Sequence, residues 1–212
     1  MKYIFLAGAP GSKWSSVCKN IYYSSDLDHT DYSEERTYWH DAWGERHLMH
    51  IASYFDPGME FGDGFDRLSC YSKEECEAKF DAPFSGEGVR MIKSHVFCHH
   101  LDFIAETWPD CPIILVDRPD DACLGWWVRC GHFNITYPKY DQYYIDLKHM
   151  ARHIDQQNAD MRKFILFNKT EKISNSGQLC DKIGIAAPQN HKPQIYADND
   201  INLYLYKRKY NS

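Results

Sequence analysis

Tyr3-Ile4-Phe5-Leu6-Ala7-Gly8-Ala9-Pro10-Gly11-Ser12-Lys13-Trp14-Ser15-Ser16 is the stretch on which the fold turns. The apolar run Tyr3–Ala7 is too short for a helix and suits a strand covered on both faces. Small residues follow, and Ser15–Tyr23 then reads as a helix. Strand, glycine-containing turn and helix, in that order, open an α/β domain. Such a turn exposes several backbone N–H groups, and the helix N-terminus adds about half a positive charge. The Ser15 and Ser16 hydroxyls and the Lys13 ammonium lie in the same stretch. Together they predict a site for a phosphate or sulfate group, with Gly8, Pro10, Gly11, Ser12, Lys13, Trp14, Ser15 and Ser16 as candidate contacts. The plainer alternative is a strand-to-helix turn with a serine cap.

Further along the chain, Val89–Ile92, Ile113–Val116 and Phe164–Phe167 are also short apolar runs bounded by turn or polar residues. Helical stretches are expected over His99–Thr107, Tyr143–Met161 and Gln178–Ile183, the last stopped by Gly184. This alternation predicts a single α/β domain over 1–212, with a mainly parallel central sheet and flanking helices. The segment 26–88 breaks the pattern. It is rich in Tyr, Trp, His, Asp and Gly, with a helix expected over Trp39–Tyr54 and long loops elsewhere. It reads as an insertion or lid beside the site, or as an ordinary decorated connection. The tail Asn202–Lys207 reads as a late edge strand or a docking tail.

Composition narrows the function classes. The chain has 212 residues, 43% hydrophobic and 15% aromatic, enough to build a sizeable core. Basic residues number 24 and acidic residues 30, a net charge of −6. That balance argues against a nucleic-acid binder or an anionic-membrane binder, though a local anion site remains compatible with it. No apolar run reaches the roughly 18 residues of a membrane span. The short N-terminal run does not read as a signal peptide, so a cytoplasmic protein is expected. The 8 cysteines form no C-x-x-C pair and are expected to be reduced packing residues.

Two further strand ends carry chemistry. Met91-Ile92-Lys93-Ser94-His95 puts a lysine and a histidine after the second strand. Leu115-Val116-Asp117-Arg118-Pro119 puts an arginine after the third. Ligands of open parallel sheets sit beyond the carboxyl ends of the strands. His95 is therefore expected to line the same crevice as the Gly8–Ser16 turn and to act as a general base. Arg118 suits bidentate phosphate binding.

In this ordered set the chain resembles the sulfotransferase family, whose members use 3′-phosphoadenosine 5′-phosphosulfate as sulfuryl donor. Gly8-Ala9-Pro10-Gly11-Ser12-Lys13-Trp14-Ser15 stands where the family carries Pro-[Lys/Arg]-Ser-Gly-Thr-Thr. Lys93-Ser94-His95 stands where cytosolic members carry Lys-Thr-His, and Arg118-Pro119-Asp120-Asp121 where they carry Arg-x-Pro-x-Asp. The segment from Ile165 to Ile185 is similar to the family's strand, helix and Leu-Gly-Ile run. The resemblance extends over about residues 3 to 187. It implies a three-layer, P-loop-like architecture and transfer of a sulfuryl group to a hydroxyl or amine of a small-molecule or glycan acceptor. His95 would be the base and Lys13 would stabilise the leaving phosphate oxygen. Gly8–Ser16 would hold the 5′ end of the donor and Arg118 its 3′-phosphate, with no metal.

The departures from the motifs are specific. Gly11 replaces a basic residue, Lys13 a glycine and Trp14 a threonine. Gly125 falls where the family has a serine, and the late Arg-Lys-Gly loop has no counterpart. These keep open a non-catalytic nucleotide-binding module of the same fold. A nucleotide phosphotransferase is the other alternative, opposed by the broken Lys-Ser/Thr pair that magnesium coordination needs. Cys98-His99-His100, and His47 with His50, look like metal ligands but lack partners at zinc-site spacing. Trp126, Trp127 and Phe103 are expected to pack the core.

Overall fold

The computed structural model describes residues 1–42, 45–56, 59–61, 65–130, 145–174, 176–189 and 200–208. Its main sheet comprises β1 (Tyr3–Ala7), β4 (Arg90–Lys93), β5 (Ile113–Asp117), β6 (Thr170–Ile173) and β7 (Asn202–Tyr206). The strand order is β4-β1-β5-β7-β6. β1 runs parallel to β4, with Ile4 opposite Met91, and to β5, with Phe5 opposite Ile113. β7 is antiparallel to both β5 and β6. β7 is thus the one reversed strand of the five, and β6 points the same way as β5. The expected parallel-rich sheet is present, in mixed form.

β1 is wholly buried, and its alternation decides the layers. Tyr3, Phe5 and Ala7 face one apolar cluster, with Ile92, Phe97, Ile104, Trp108, Met161 and Phe164. Ile4 and Leu6 face another, with Val17, Ile21, Leu179 and Ile183. The first cluster draws on α3 (Leu101–Thr107) and α5 (Leu147–Phe167), the second on α1 (Trp14–Tyr22) and α6 (Leu179–Ile183). Successive residues on a strand point to opposite faces, so a continuous apolar run needs cover on both.

Three expectations are corrected. Phe164–Phe167 is not a strand: it is the last turn of α5, a 21-residue helix. Buried Met150, Ile154, Gln157, Asn158, Met161 and Phe164 keep the helical period through that turn, and Leu166 and Phe167 are left exposed. The strand follows at Thr170–Ile173, mostly exposed because it is the sheet edge. The expected start of this helix, at residues 143–144, lies outside the described residues; Asp146 caps α5 by accepting from the His149 N–H.

Trp39–Tyr54 is not a helix. It contains an antiparallel pair, β2 (Tyr38–Ala42) and β3 (Glu45–His50), with Ala42 opposite Glu45. Aromatic residues such as Tyr38 and Trp39 suit strands, and the cross-strand pairing outweighs the helical spacing of His47 and His50. The tail strand β7 is an inner strand, paired on both sides.

The rest of 26–88 enters the core. α2 (Lys73–Asp81) begins with a capping box in which Ser72 and Glu75 satisfy each other's backbone N–H. It delivers Phe80, fully buried, against Phe5, Phe55 and Trp108 at ring separations of 5.8, 5.4 and 5.5 Å. Phe80→Ala is expected to cost about 3–5 kcal/mol in denaturant unfolding, the usual range for a buried phenyl. A loss below about 1 kcal/mol would mean that this segment is peripheral.

Candidate functional site

Between β1 and α1 the chain makes a tight turn. The Ser12 N–H donates to the Ala9 carbonyl at 3.0 Å, and the Ser16 and Val17 N–H groups donate to the Lys13 carbonyl at 2.9 and 3.3 Å. Lys13, at φ 66, is the N-cap of α1. Gly11, at φ 80, has no room for a side chain: a Cβ there would sit 1.9 Å from the Cys123 carbonyl oxygen. Cys123 belongs to α4 (Asp120–Arg129), so this helix backbone presses directly on the turn. A basic side chain at position 11 is sterically incompatible with that packing. Ser12 is fully buried, and its Oγ has no hydrogen-bond partner among the described residues.

Arg118 reaches this turn because β5 is the parallel neighbour of β1, with Ala7 opposite Leu115. Its Nη1 donates to the Gly11 carbonyl at 2.9 Å. Nε and Nη2 both converge on Asp200 Oδ2, at 3.0 and 2.9 Å. The Arg118 carbonyl accepts from Asn158 Nδ2 at 3.1 Å and Arg162 Nη2 at 3.0 Å, which fixes the entry to α4. Lys13 Nζ lies 4.2 Å from the Trp126 ring centroid. Burial, and then the like charge of Arg118, push the Lys13 ammonium down to about 8. It therefore still carries its charge at neutral pH. Trp127 is buried as expected, whereas Trp126 is only half-buried and covers the lysine.

His95 follows β4 and is 3% exposed. His95 Nδ1 lies 2.8 Å from Gln157 Nε2 and 3.2 Å from Gln157 Oε1, and its Nε2 lies 3.7 Å from Asp56 Oδ2. Asp56 Oδ1 accepts from Ser94 Oγ at 2.6 Å and from the His95 N–H at 3.3 Å. The Gln157 amide also meets His153 Nε2 at 3.0 Å. The His95 and His153 rings pack edge to face at 5.7 Å. Beyond them, His99 Nδ1 pairs with Asp160 at 2.6 Å.

The described hydrogen bonds thus join Arg118 to the Gly11 turn and tie His95 to Asp56 and Gln157. Lys93, also fully buried, donates to the Ile51 carbonyl at 2.6 Å. Gly11, His95 and Arg118 follow the carboxyl ends of β1, β4 and β5, which are adjacent parallel strands.

Sequence reasoning did not pick out Asp200, Gln157 or Asn158. Gln157 and Asn158 are polar residues on the buried stripe of α5, a signal visible only once the helix is phased through Phe167. A Cβ at Gly125 would meet open space, so a serine would fit there. Burial raises the Cys123 thiol to about 12 and Cys130 to about 11, so neither is a nucleophile at neutral pH. Among the described residues, no group of three His, Cys, Asp or Glu is placed to hold a metal ion. No described helix is long and apolar enough to cross a membrane. Compared with family models, curated proteins and solved structures, the chain matches none.

The histidine cluster has a consequence for stability. Burial pushes both His95 and His153 down to about 3, from an ordinary value of 6.5. Below the ordinary value the unfolded chain binds protons that the folded chain refuses, so stability is lost as pH falls from about 6.5 toward about 3. The urea midpoint is expected to drop between about pH 7 and about pH 4, and to drop less in His153→Phe. Equal slopes for the two proteins would remove the cluster from that role.

Proposed function

We propose that the chain is a nucleotide-dependent sulfotransferase of the P-loop-like kind, using 3′-phosphoadenosine 5′-phosphosulfate. The observation that carries this reading is the Arg118–Gly11 bond, which gathers a guanidinium, a lysine and a helix N-terminus at neighbouring strand ends. Buried, unpartnered Ser12 Oγ is a further group suited to a ligand oxygen. The donor fits this set better than it fits the bare motif, because Lys13 supplies the charge that Gly11 lacks.

In this reading Gly8–Ser16 holds the 5′-phosphosulfate and Arg118 faces the 3′-phosphate. The donor supplies an activated sulfuryl group. The acceptor hydroxyl or amine forms the new bond to sulfur as the bond from sulfur to the bridging phosphate oxygen breaks. His95 takes the acceptor proton, and Lys13 balances the charge left on that oxygen. The acceptor, a small molecule or glycan, would lie against the 26–88 segment. A cytoplasmic location goes with this reading.

The burial of His95, and its descent to about 3, favour a second reading: a binding module of the same fold without turnover. A proton acceptor this weak and this enclosed is a poor base unless the site opens.

Two measurements test the proposal. Calorimetry with adenosine 3′,5′-bisphosphate is expected to show binding that Lys13→Ala and Arg118→Ala each weaken about tenfold or more, the scale of a lost charge-assisted contact. Absence of binding at millimolar nucleotide contradicts it. Donor turnover with phenol, alcohol and amine acceptors then separates the two readings. Transfer predicts activity that His95→Gln lowers by about 10²–10⁴-fold with donor affinity kept. The binding module predicts no turnover by the unmodified protein.

A further inference from the structure

β7 is the reversed strand, and its direction has a chemical result. With Asn202 opposite Asp117, the residues preceding β7 arrive at the carboxyl edge of β5, where Arg118 begins the turn into α4. A parallel strand in that place would begin at the opposite edge. Asp200 is thereby delivered to the guanidinium.

The pairing is unlike a matched arginine–carboxylate fork, in which two N–H groups meet two oxygens. Here Nε and Nη2 both go to Oδ2, at 3.0 and 2.9 Å. The second oxygen, Oδ1, is buried without a hydrogen-bond partner among the described residues. Leaving a buried carboxylate oxygen unsatisfied is costly. The carboxylate does bring a negative charge to a place where Lys13 and Arg118 repel each other. It takes two of the guanidinium's N–H groups, while the third described bond holds the Gly11 carbonyl. An incoming anion that takes the Nε–Nη2 edge of Arg118, the edge suited to a bidentate contact, must therefore replace Asp200.

We propose that Asp200 is a specificity-determining residue of this site, whose carboxylate competes with a nucleotide 3′-phosphate for the Arg118 guanidinium. The inference rests on the reading of Gly8–Ser16 and Arg118 as a nucleotide site. Nucleotides bearing a 3′-phosphate pay to displace the carboxylate; nucleotides with a free 3′-hydroxyl leave it in place. Asp200 thus narrows the preference that Arg118 alone would give, and the apparent affinity for the 3′-phosphorylated ligand falls by the fraction of sites in which Arg118 is released.

The test compares adenosine 3′,5′-bisphosphate with adenosine 5′-monophosphate in calorimetric titrations of the unmodified protein, Asp200→Asn and Asp200→Ala at one ionic strength. Both substitutions are expected to tighten the bisphosphate about tenfold or more and to change the monophosphate by a much smaller factor. Asp200→Ala combined with Arg118→Ala is expected to lose that gain. Asp200→Asn keeps the shape of the side chain and an oxygen for Arg118, so it reports even if the alanine variant fails to fold. Equal tightening of both nucleotides would mean a general charge effect, and no tightening would mean no competition. Either result overturns the role of Asp200 and leaves the nucleotide site standing. If neither nucleotide binds the unmodified protein or the variants at millimolar concentration, the site reading itself fails, and this inference fails with it.

Discussion

The contact between Gly11 and the backbone of α4 at Cys123 governs the geometry around it. A Cβ would collide there at 1.9 Å, so the turn after β1 and the start of α4 are locked face to face. Arg118 adds a hydrogen bond to the Gly11 carbonyl and is itself held through its own carbonyl by Asn158 and Arg162 from α5. Strand β1, strand β5, helix α4 and helix α5 thus meet at one small region. The positive φ of Gly11 and of Lys13 follows from that tight path. Lys13 carries a side chain in this unusual backbone state, a strain that other contacts must offset. Its ammonium lies over Trp126, on the same α4 that Gly11 abuts.

Electrostatics at the carboxyl edge of the sheet separates into two neighbourhoods. One gathers buried Lys13 and Arg118 with half-buried Asp200, whose carboxylate eases the repulsion between the two cations. The other is dry: His95, Gln157, His153 and Asp56 exchange hydrogen bonds among themselves, and both histidines are held neutral by burial. A charge-bearing ligand is accommodated far more readily in the first than in the second, because isolated buried charge is costly. In the proposed reading the anion chemistry of the chain belongs with Lys13 and Arg118, and a proton-transfer role for His95 requires access that this conformation withholds.

The sequence reveals the strands that are buried on both faces. Tyr3–Ala7, Val89–Ile92 and Ile113–Val116 announce themselves because a strand covered on both faces has no polar side, and the structure forms them within a residue or so of those bounds. It conceals the elements whose identity depends on partners. Phe164–Phe167 has the composition of a buried strand, but it completes a helix whose apolar stripe starts at Met150. The true strand, Thr170–Ile173, is polar because it lies at the edge. The antiparallel pair β2–β3 carries helical spacing by coincidence, and its aromatic start at Tyr38-Trp39 was the better guide. Of the proposed site, the placement of the Gly8–Ser16 turn and Arg118 at strand ends was legible in the sequence. Asp200 was not, because its place depends on the reversal of β7, which no local pattern encodes.

The central claim is that the Gly8–Ser16 turn and Arg118 form one anion site. Amide resonances followed during titration with adenosine 3′,5′-bisphosphate test it most directly. The account predicts that the N–H signals of Gly11, Ser12, Trp14 and Ser15 and the Arg118 Nε–H signal move together and saturate with a single dissociation constant. Shifts gathered instead around His99, Asp160 and Lys163, with the turn unmoved, would contradict it.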